Sequence, residues 1–293
     1  MSIEISSLQN NHVKQVVKLS KRRHRDVRRL TVVEGLREVS RAWQQGIQPS
    51  EVYLCPPLLD SDLALATAEK LRIGHAHGRF PLFEVTSEVY AKMAYRGQSG
   101  GILLVIPYLP LALSQLSLGS PPFLAIIEGA EKPGNLGAIL RTADAAGVDA
   151  VIVAQPESGP GTDLHNPNVI RASLGTLFTV PVAAATTTEL IPWLQARQIQ
   201  IMAATPAGAR LYTAVDMTQA VAVVSGSEAH GLSRDWLAAA AEQLIIPMVG
   251  QADSLNLATA TALLLYEVVR QRSLHAPYQT KGQDGQTSTS LAR

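Results

Sequence analysis

A single cysteine in 293 residues, Cys55, excludes an internal disulfide and any cysteine-rich zinc site. Long apolar runs are missing too. The strongest, Ala258–Tyr266, contains two threonines, is followed by Glu267 and is too short to cross a bilayer. Residues 1–30 hold no apolar signal core, so a soluble, cytoplasmic protein is expected. No Gly-x-Gly-x-x-Gly occurs, which disfavours a dinucleotide-binding Rossmann domain. Aromatics are scarce at 5%, yet hydrophobic residues reach 46% against 17% charged, a composition that folds. The length exceeds what one core usually organises, so two domains are expected.

The formal net charge of +1 conceals an asymmetry. Residues 1–50 carry ten Lys/Arg against four acids, net +6, which leaves −5 for the rest of the chain. Eight of the ten lie between Lys14 and Arg29. A solvated helix face accounts for such a cluster, and so does contact with nucleic-acid phosphates, because fixed cations release condensed counterions on binding. An organellar transit peptide is weaker, since the segment runs without a break into patterned sequence. If one continuous helix spans Lys14, Lys18, Lys21, Arg22, Arg25 and Arg29, all six fall on one broad face.

After residue 30 short β-rich runs alternate with helical stretches. Strands are expected at 31–34, 51–54, 81–85 and 101–106, and helices at 36–45, 60–71 and 88–94. A Pro/Leu/Ser/Gly stretch without charge, 107–122, reads as a linker between a domain at 1–106 and one at 123–275. In the second domain strands are expected at 123–127, 150–153, 178–182, 201–204, 221–225 and 244–247. Helices are expected there at 136–146, 169–174, 189–196, 234–241 and 255–272. Strands alternating with helices imply an α/β fold with a parallel sheet covered on both faces. Residues 276–293 are rich in Gln, Ser, Thr and Gly and read as a disordered tail.

Three loop-to-helix junctions in the second domain carry the chemistry. In Glu128-Gly-Ala-Glu-Lys-Pro-Gly-Asn-Leu-Gly-Ala-Ile-Leu-Arg-Thr-Ala-Asp144, Asn135 stands where a helix N-cap belongs and Arg141 about two turns in. The Gly129–Gly134 spacing mimics a phosphate-binding P-loop, but Asn135-Leu136 replaces the required Lys-Ser/Thr. The second junction, Ser225-Gly-Ser-Glu-Ala-His-Gly-Leu-Ser233, follows the apolar strand Val221–Val224. Gly226 offers a ligand bare backbone at the carboxyl end of a strand. Ser227 lacks the nucleophile elbow of an α/β hydrolase, and His230 reads better as a polar loop residue than as a base. The third runs from Ile245 through Asp253, Ser254 and Asn256 to Ala260. Asp253 and Ser254 are both good caps, whereas Asn256, read as just inside the helix, is a poor interior residue with another task. Leu257, Ala260, Leu264 and Val268 share one face and read as core. His75 and His77 could chelate a metal, but two histidines make a weak site and a surface loop is the simpler reading.

Taken in order, these segments resemble the SpoU/TrmH family of RNA ribose 2′-O-methyltransferases in the SPOUT superfamily. Asn135–Asp144 matches the family's first motif, Gly226–Leu232 its second, and Ile246–Gly250 with Ser254-Leu-Asn256 its third. Asn166–Gly175 matches a further stretch. Gly134 departs from the histidine common there. More weakly, the basic helix and Thr31-Val-Val-Glu-Gly35-Leu resemble the family's separate substrate-binding domain.

The resemblance implies a C-terminal parallel-sheet domain with a deep trefoil knot, preceded by a smaller α/β RNA-binding domain. It implies S-adenosylmethionine as methyl donor, with Gly226, Ile246 and Leu255 binding it, and no metal. Arg141 is implied as catalytic, holding a substrate phosphate because a guanidinium stays protonated. Asn135, Glu228, Ser254 and Asn256 complete the implied site: Asn135 holding the loop and contacting Arg141 or the substrate, Glu228 orienting Arg141 or accepting the proton, with a phosphate oxygen as the other acceptor, and Ser254 and Asn256 shaping the nucleotide pocket. The implied acceptor is a ribose 2′-hydroxyl of structured RNA, foremost 23S ribosomal RNA. A tRNA substrate, or a catalytically inactive ribosome-assembly factor of the same fold, is the alternative. A homodimer through the C-terminal domain is implied as well.

Overall fold

Two sheets organise the chain, and the computed structural model describes residues 3–95, 100–159 and 161–273, with the backbone at 280–281 and 287–288. The first part contains β1 (Ile3–Ile5), α1 (Asn11–Lys18), α2 (Arg22–Arg28), β2 (Leu30–Glu34), α3 (Leu36–Gln44), β3 (Glu51–Leu54), α4 (Asp62–Ala76), β4 (Leu82–Val85), α5 (Ser87–Met93) and β5 (Ile102–Pro107). There follow β6 (Phe123–Glu128), α6 (Pro133–Ala146), β7 (Ala150–Gln155), α7 (Pro167–Ala172), β8 (Val182–Thr186), α8 (Thr187–Gln195), β9 (Gln200–Ala204), β10 (Arg210–Leu211), β11 (Val221–Ser225), α9 (Arg234–Ala239), β12 (Glu242–Ile245) and α10 (Leu257–Ser273).

The chain divides into two compact units. The first comprises 1–111, 132–141 and 162–181; the second comprises 112–131, 142–161 and 182–293. The segment expected as a linker thus enters the second unit at Ala112, where Leu113, Leu116 and Leu118 pack half-buried on its core. The first unit holds a mixed five-stranded sheet, β1-β4-β3-β5-β2, with β5 antiparallel to both neighbours. The second holds a parallel seven-stranded sheet, β10-β12-β9-β11-β6-β7-β8. Its central strands are buried along their length, as near-continuous apolar runs require when both faces are covered. Register aligns Ile127, Ala204 and Ser225 in one row at the carboxyl edge, with Leu244 beside Ala204.

Several expectations need correction. The basic segment is not one helix. The first, α1, ends at Lys18 with the buried Leu19 as its C-cap, and α2 begins at Arg22. Arg25, expected on a solvent face, is 1% exposed. Its Nη1 donates to the carbonyls of Leu19 and Ser20, both at 2.9 Å, and its Nη2 pairs with Asp163. The guanidinium satisfies carbonyls left open where α1 stops.

The strand expected at 178–182 is a 3₁₀ turn, Thr176–Phe178, and the strand starts at Val182 beyond Pro181. The Ser173 and Thr176 hydroxyls donate to the carbonyls of Ile170 and Ser173 at 2.7 and 2.9 Å, which holds the turn despite an apolar sequence. The fourth helix, α4, continues past Leu71 to Ala76, so His75 is helical and His77 caps the helix instead of lying in a loop. Gly74 is tolerated inside it because the Phe80 ring fills the place of a Cβ. Strands β1 and β10 were not anticipated; both are short edge strands. Residues 276–293, expected as disordered, lie outside the described residues except for the paired backbone of Thr280–Lys281 and Thr287–Ser288.

Among the described residues no helix is long and apolar enough to cross a membrane, and no group of three or more His, Cys, Asp or Glu is placed to hold a metal.

Candidate functional site

In the second unit the carboxyl edge of the sheet opens into a cavity of about 180 Å³. Ala204, Ser225 and Leu244 form its floor, each from the end of a different strand. This is where an open parallel sheet binds ligands.

The loop after β11 is the most constrained part of the wall. Gly231 N donates to Ser227 O at 3.0 Å and His230 N to Ser227 Oγ at 3.0 Å, closing a tight turn. Gly231 sits at φ 65°, and a Cβ on Gly226 would lie 2.2 Å from the Gly231 carbonyl group. Any side chain at 226 would therefore collide with backbone, so bare main chain faces the cavity there. Glu128, at the end of β6, accepts a hydrogen bond from Ser233 N at 2.7 Å and ties the far end of the loop to the sheet.

Asn256 reaches this wall through a hydrogen bond to Glu228. The last helix, α10, begins at Leu257, so neither Asp253 nor Ser254 caps it, and Asn256 is not inside it. Asn256 is the cap: its Oδ1 accepts from Ala258 N at 3.0 Å and its carbonyl from Ala260 N at 2.9 Å. The Nδ2 amide donates to Glu228 Oε1 at 2.8 Å. One side chain thus starts a helix and fixes the carboxylate of the facing loop.

Of the residues singled out from sequence, Gly226, Glu228, Ile246, Ser254 and Leu255 all line this cavity, and Asn256 is bonded to Glu228. Ile246 follows the end of β12 instead of lying within a strand, and Leu255 precedes α10. Asn135 and Arg141 belong to α6 and to the first unit. Asn135 is not a cap, because α6 begins at Pro133, with the Lys132 carbonyl accepting from Asn135 N at 3.1 Å. Proline suits a first helical position, where no amide hydrogen is needed. Arg141 is exposed. His230 is exposed as well and is not part of the cavity wall, in keeping with a loop residue.

Sequence reasoning missed Thr205, Ser225, Leu244, Met248 and Asp253, which also line the cavity. Ser225 is 2% exposed and its Oγ has no hydrogen-bond partner among the described residues. A buried hydroxyl without a partner is costly and marks a place where a bound molecule can supply one. Apolar walls from Leu244, Ile246, Met248, Leu255 and Leu257 with a few convergent polar groups suit a flat heterocycle carrying a polar tail.

Residues 122–266 match the SpoU rRNA Methylase family, and residues 10–104 match the MRM3-like substrate binding domain. A crystal structure of an RNA 2′-O ribose methyltransferase superposes with a TM-score of 0.78 at 36% identity, over 92% of this chain and 99% of that one. The AdoMet-bound rRNA methyltransferase from Sinorhizobium meliloti superposes with a TM-score of 0.82 at 29% identity, over 91% of this chain and 97% of that one. A 23S rRNA (guanosine-2′-O-)-methyltransferase of Escherichia coli K12 is 40% identical over 154 residues, 52% of this chain and 61% of that protein.

Proposed function

This chain belongs to the SpoU rRNA Methylase family, and from that membership we propose that it transfers a methyl group from S-adenosylmethionine to a ribose 2′-hydroxyl of 23S ribosomal RNA. The observation that carries the reading is the cavity at the row Ala204–Ser225–Leu244, walled by the Gly226–Gly231 loop and by Glu228, whose carboxylate Asn256 holds. Its residues fit the methyl donor. Leu244, Ile246, Met248, Leu255 and Leu257 would supply the apolar surface for its adenine, Gly226 would offer bare backbone, and the Ser225 hydroxyl has no partner among the described residues. When bound, S-adenosylmethionine supplies an activated sulfonium methyl.

The chain's own residues then have to hold the ribose and take its proton. Arg141 holds a neighbouring phosphate through two parallel N–H bonds, which orients the hydroxyl and offsets charge developing on it. A guanidinium does not give up its proton, so Arg141 is not the base. Glu228, fixed by Asn256, is the group that receives the proton; Ser254 shapes the nucleotide pocket and Asn135 holds the loop before α6. Ribosomal RNA is favoured over tRNA by the substrate of the Escherichia coli relative, and the presence of Arg141 and Asn256 argues against the inactive-factor alternative. A deep trefoil knot, a homodimer through the C-terminal domain and a cytoplasmic location belong to the same reading; light scattering in solution tests the dimer.

The test is methyl transfer from isotopically labelled S-adenosylmethionine to 23S ribosomal RNA and to tRNA, with the modified ribose mapped by mass spectrometry. Label in a 2′-O-methyl nucleotide of 23S RNA is the expected result. Label confined to tRNA, or to a base, overturns it.

A further inference from the structure

We infer that Tyr95 is a stacking platform for an unpaired base of the RNA, an inference that rests on the reading that the chain acts on RNA. Tyr95 is the one exposed Phe, Tyr or Trp among the described residues of the first unit, with 65% of its surface open. What sets it apart is its mounting.

Glu34, the last residue of β2, is 4% exposed and divides its two oxygens between the parts of one assembly. Oε2 accepts from Tyr95 N at 2.7 Å, and Oε1 accepts from Arg171 Nη1 at 2.8 Å. The Arg171 guanidinium lies 4.4 Å from the centre of the Tyr95 ring, and its Nη2 donates to Asn168 Oδ1. One face of the ring is therefore covered by a planar cation held by two partners, while the rest of the ring is open to solvent. Burying a carboxylate is expensive unless charged and hydrogen-bonded partners meet it, and here both oxygens are met. The result is an aromatic ring fixed from beneath, with its ordering largely complete before anything binds.

That is what recognition of unpaired RNA requires. Proteins read single-stranded RNA by stacking splayed bases on aromatic rings, and every base offers a face for it. Arg171 remains partly open to solvent, but its charge is balanced by Glu34, so what this assembly offers RNA is a stacking face and not an added phosphate contact. A purely structural tyrosine would bury its ring; this one buries only what holds it.

The experiment compares wild type, Tyr95→Ala and Tyr95→Phe in binding a 23S fragment with an unpaired loop and a duplex of equal length, across several salt concentrations. Tyr95→Ala should weaken loop binding roughly 5- to 150-fold, the range of one base stack removed. Tyr95→Phe should stay within about twofold, because the ring and not the hydroxyl does the stacking. The salt dependence should keep its slope in both, since no charge is removed. Affinity for S-adenosylmethionine, measured by calorimetry, should not change. Ultraviolet cross-linking should join RNA to the peptide containing Tyr95. A wild type that methylates RNA while Tyr95→Ala keeps the same KM for it overturns the platform alone, and so does equal loss for loop and duplex. A wild type that neither binds nor methylates RNA overturns the function and the platform together.

Discussion

Asn256 shows how much one side chain can be asked to do. It caps α10 with its side-chain Oδ1 and holds Glu228 with its side-chain Nδ2. The two tasks are separable by substitution. Asn256→Ser keeps an oxygen for the cap but loses the reach to Glu228, so stability should stay nearly constant while methyl transfer falls. Asn256→Ala loses both and should cost about 1 kcal/mol of stability besides. Thermal melts and turnover measured on the two variants decide the matter; full turnover in the serine variant would show that the amide does not serve Glu228. For Arg141 the expectation is different. Arg141→Ala should abolish methyl transfer while affinity for S-adenosylmethionine stays within a few-fold, because the cavity residues for that ligand lie on other segments. Arg141→Lys should fail nearly as badly, since an ammonium cannot give the planar two-pronged geometry. Parallel loss of ligand binding in a folded Arg141→Ala chain would remove the clamp role.

The basic segment makes the corresponding point for whole elements. Charge and spacing alone put Lys14, Lys18, Lys21, Arg22, Arg25 and Arg29 on one helical face. The fold breaks that face at Leu19 and turns Arg25 inward to Asp163, leaving Lys18, Lys21 and Arg23 exposed. Substituting those three with glutamine should weaken RNA binding and flatten its salt dependence. The log–log slope should drop by roughly 0.7 to 0.9 for each phosphate that is no longer neutralised, with little change in stability. Arg25→Met should do the reverse. Removing one partner of a buried ion pair strands the Asp163 carboxylate and should destabilise the fold by roughly 3–5 kcal/mol. Denaturant titrations beside RNA affinities measured across salt separate the two; an Arg25→Met chain as stable as wild type would refute the structural role.

At the scale of the molecule, one group links folding to acidity. His165 is 5% exposed, and its ring stacks on Tyr108 with centroids 3.7 Å apart. Burial, joined by the nearby positive charge of Arg29 and Arg25, holds its pKa down to about 4 against an ordinary 6.5. Between those values the unfolded chain binds a proton that the folded chain refuses. The stability this provides is complete above pH 6.5 and is lost as pH falls toward 4, at most roughly 3 kcal/mol. Denaturation at pH 7.5, 6.5, 5.5 and 4.5 should show this decline. His165→Phe, which keeps a flat ring against Tyr108 but cannot titrate, should flatten it; an equal decline in that variant would assign the acid sensitivity elsewhere.

Much of this protein was legible in its residues. Apolar runs with turn residues at both ends gave the parallel sheet, because strands buried on two faces leave no room for polar alternation. The second and third junctions line the cavity, because a ligand at the edge of such a sheet needs backbone it can approach, whereas Asn135 and Arg141 of the first junction do not line it. Tertiary structure alone decided which of those residues meet. The Glu228–Asn256 bond joins positions 28 apart, and Ser225 lost its water to strands far along the chain. Arg25 and Tyr95 carry the same lesson with opposite outcomes. Composition marks the first as surface and gives no signal for the second. The first is buried because it answers open carbonyls and Asp163, and the second is exposed because Glu34 and Arg171 hold it there. Local sequence fixes what a segment prefers, whereas pairing across 138 or 137 residues is set only when packing brings both partners out of water at once.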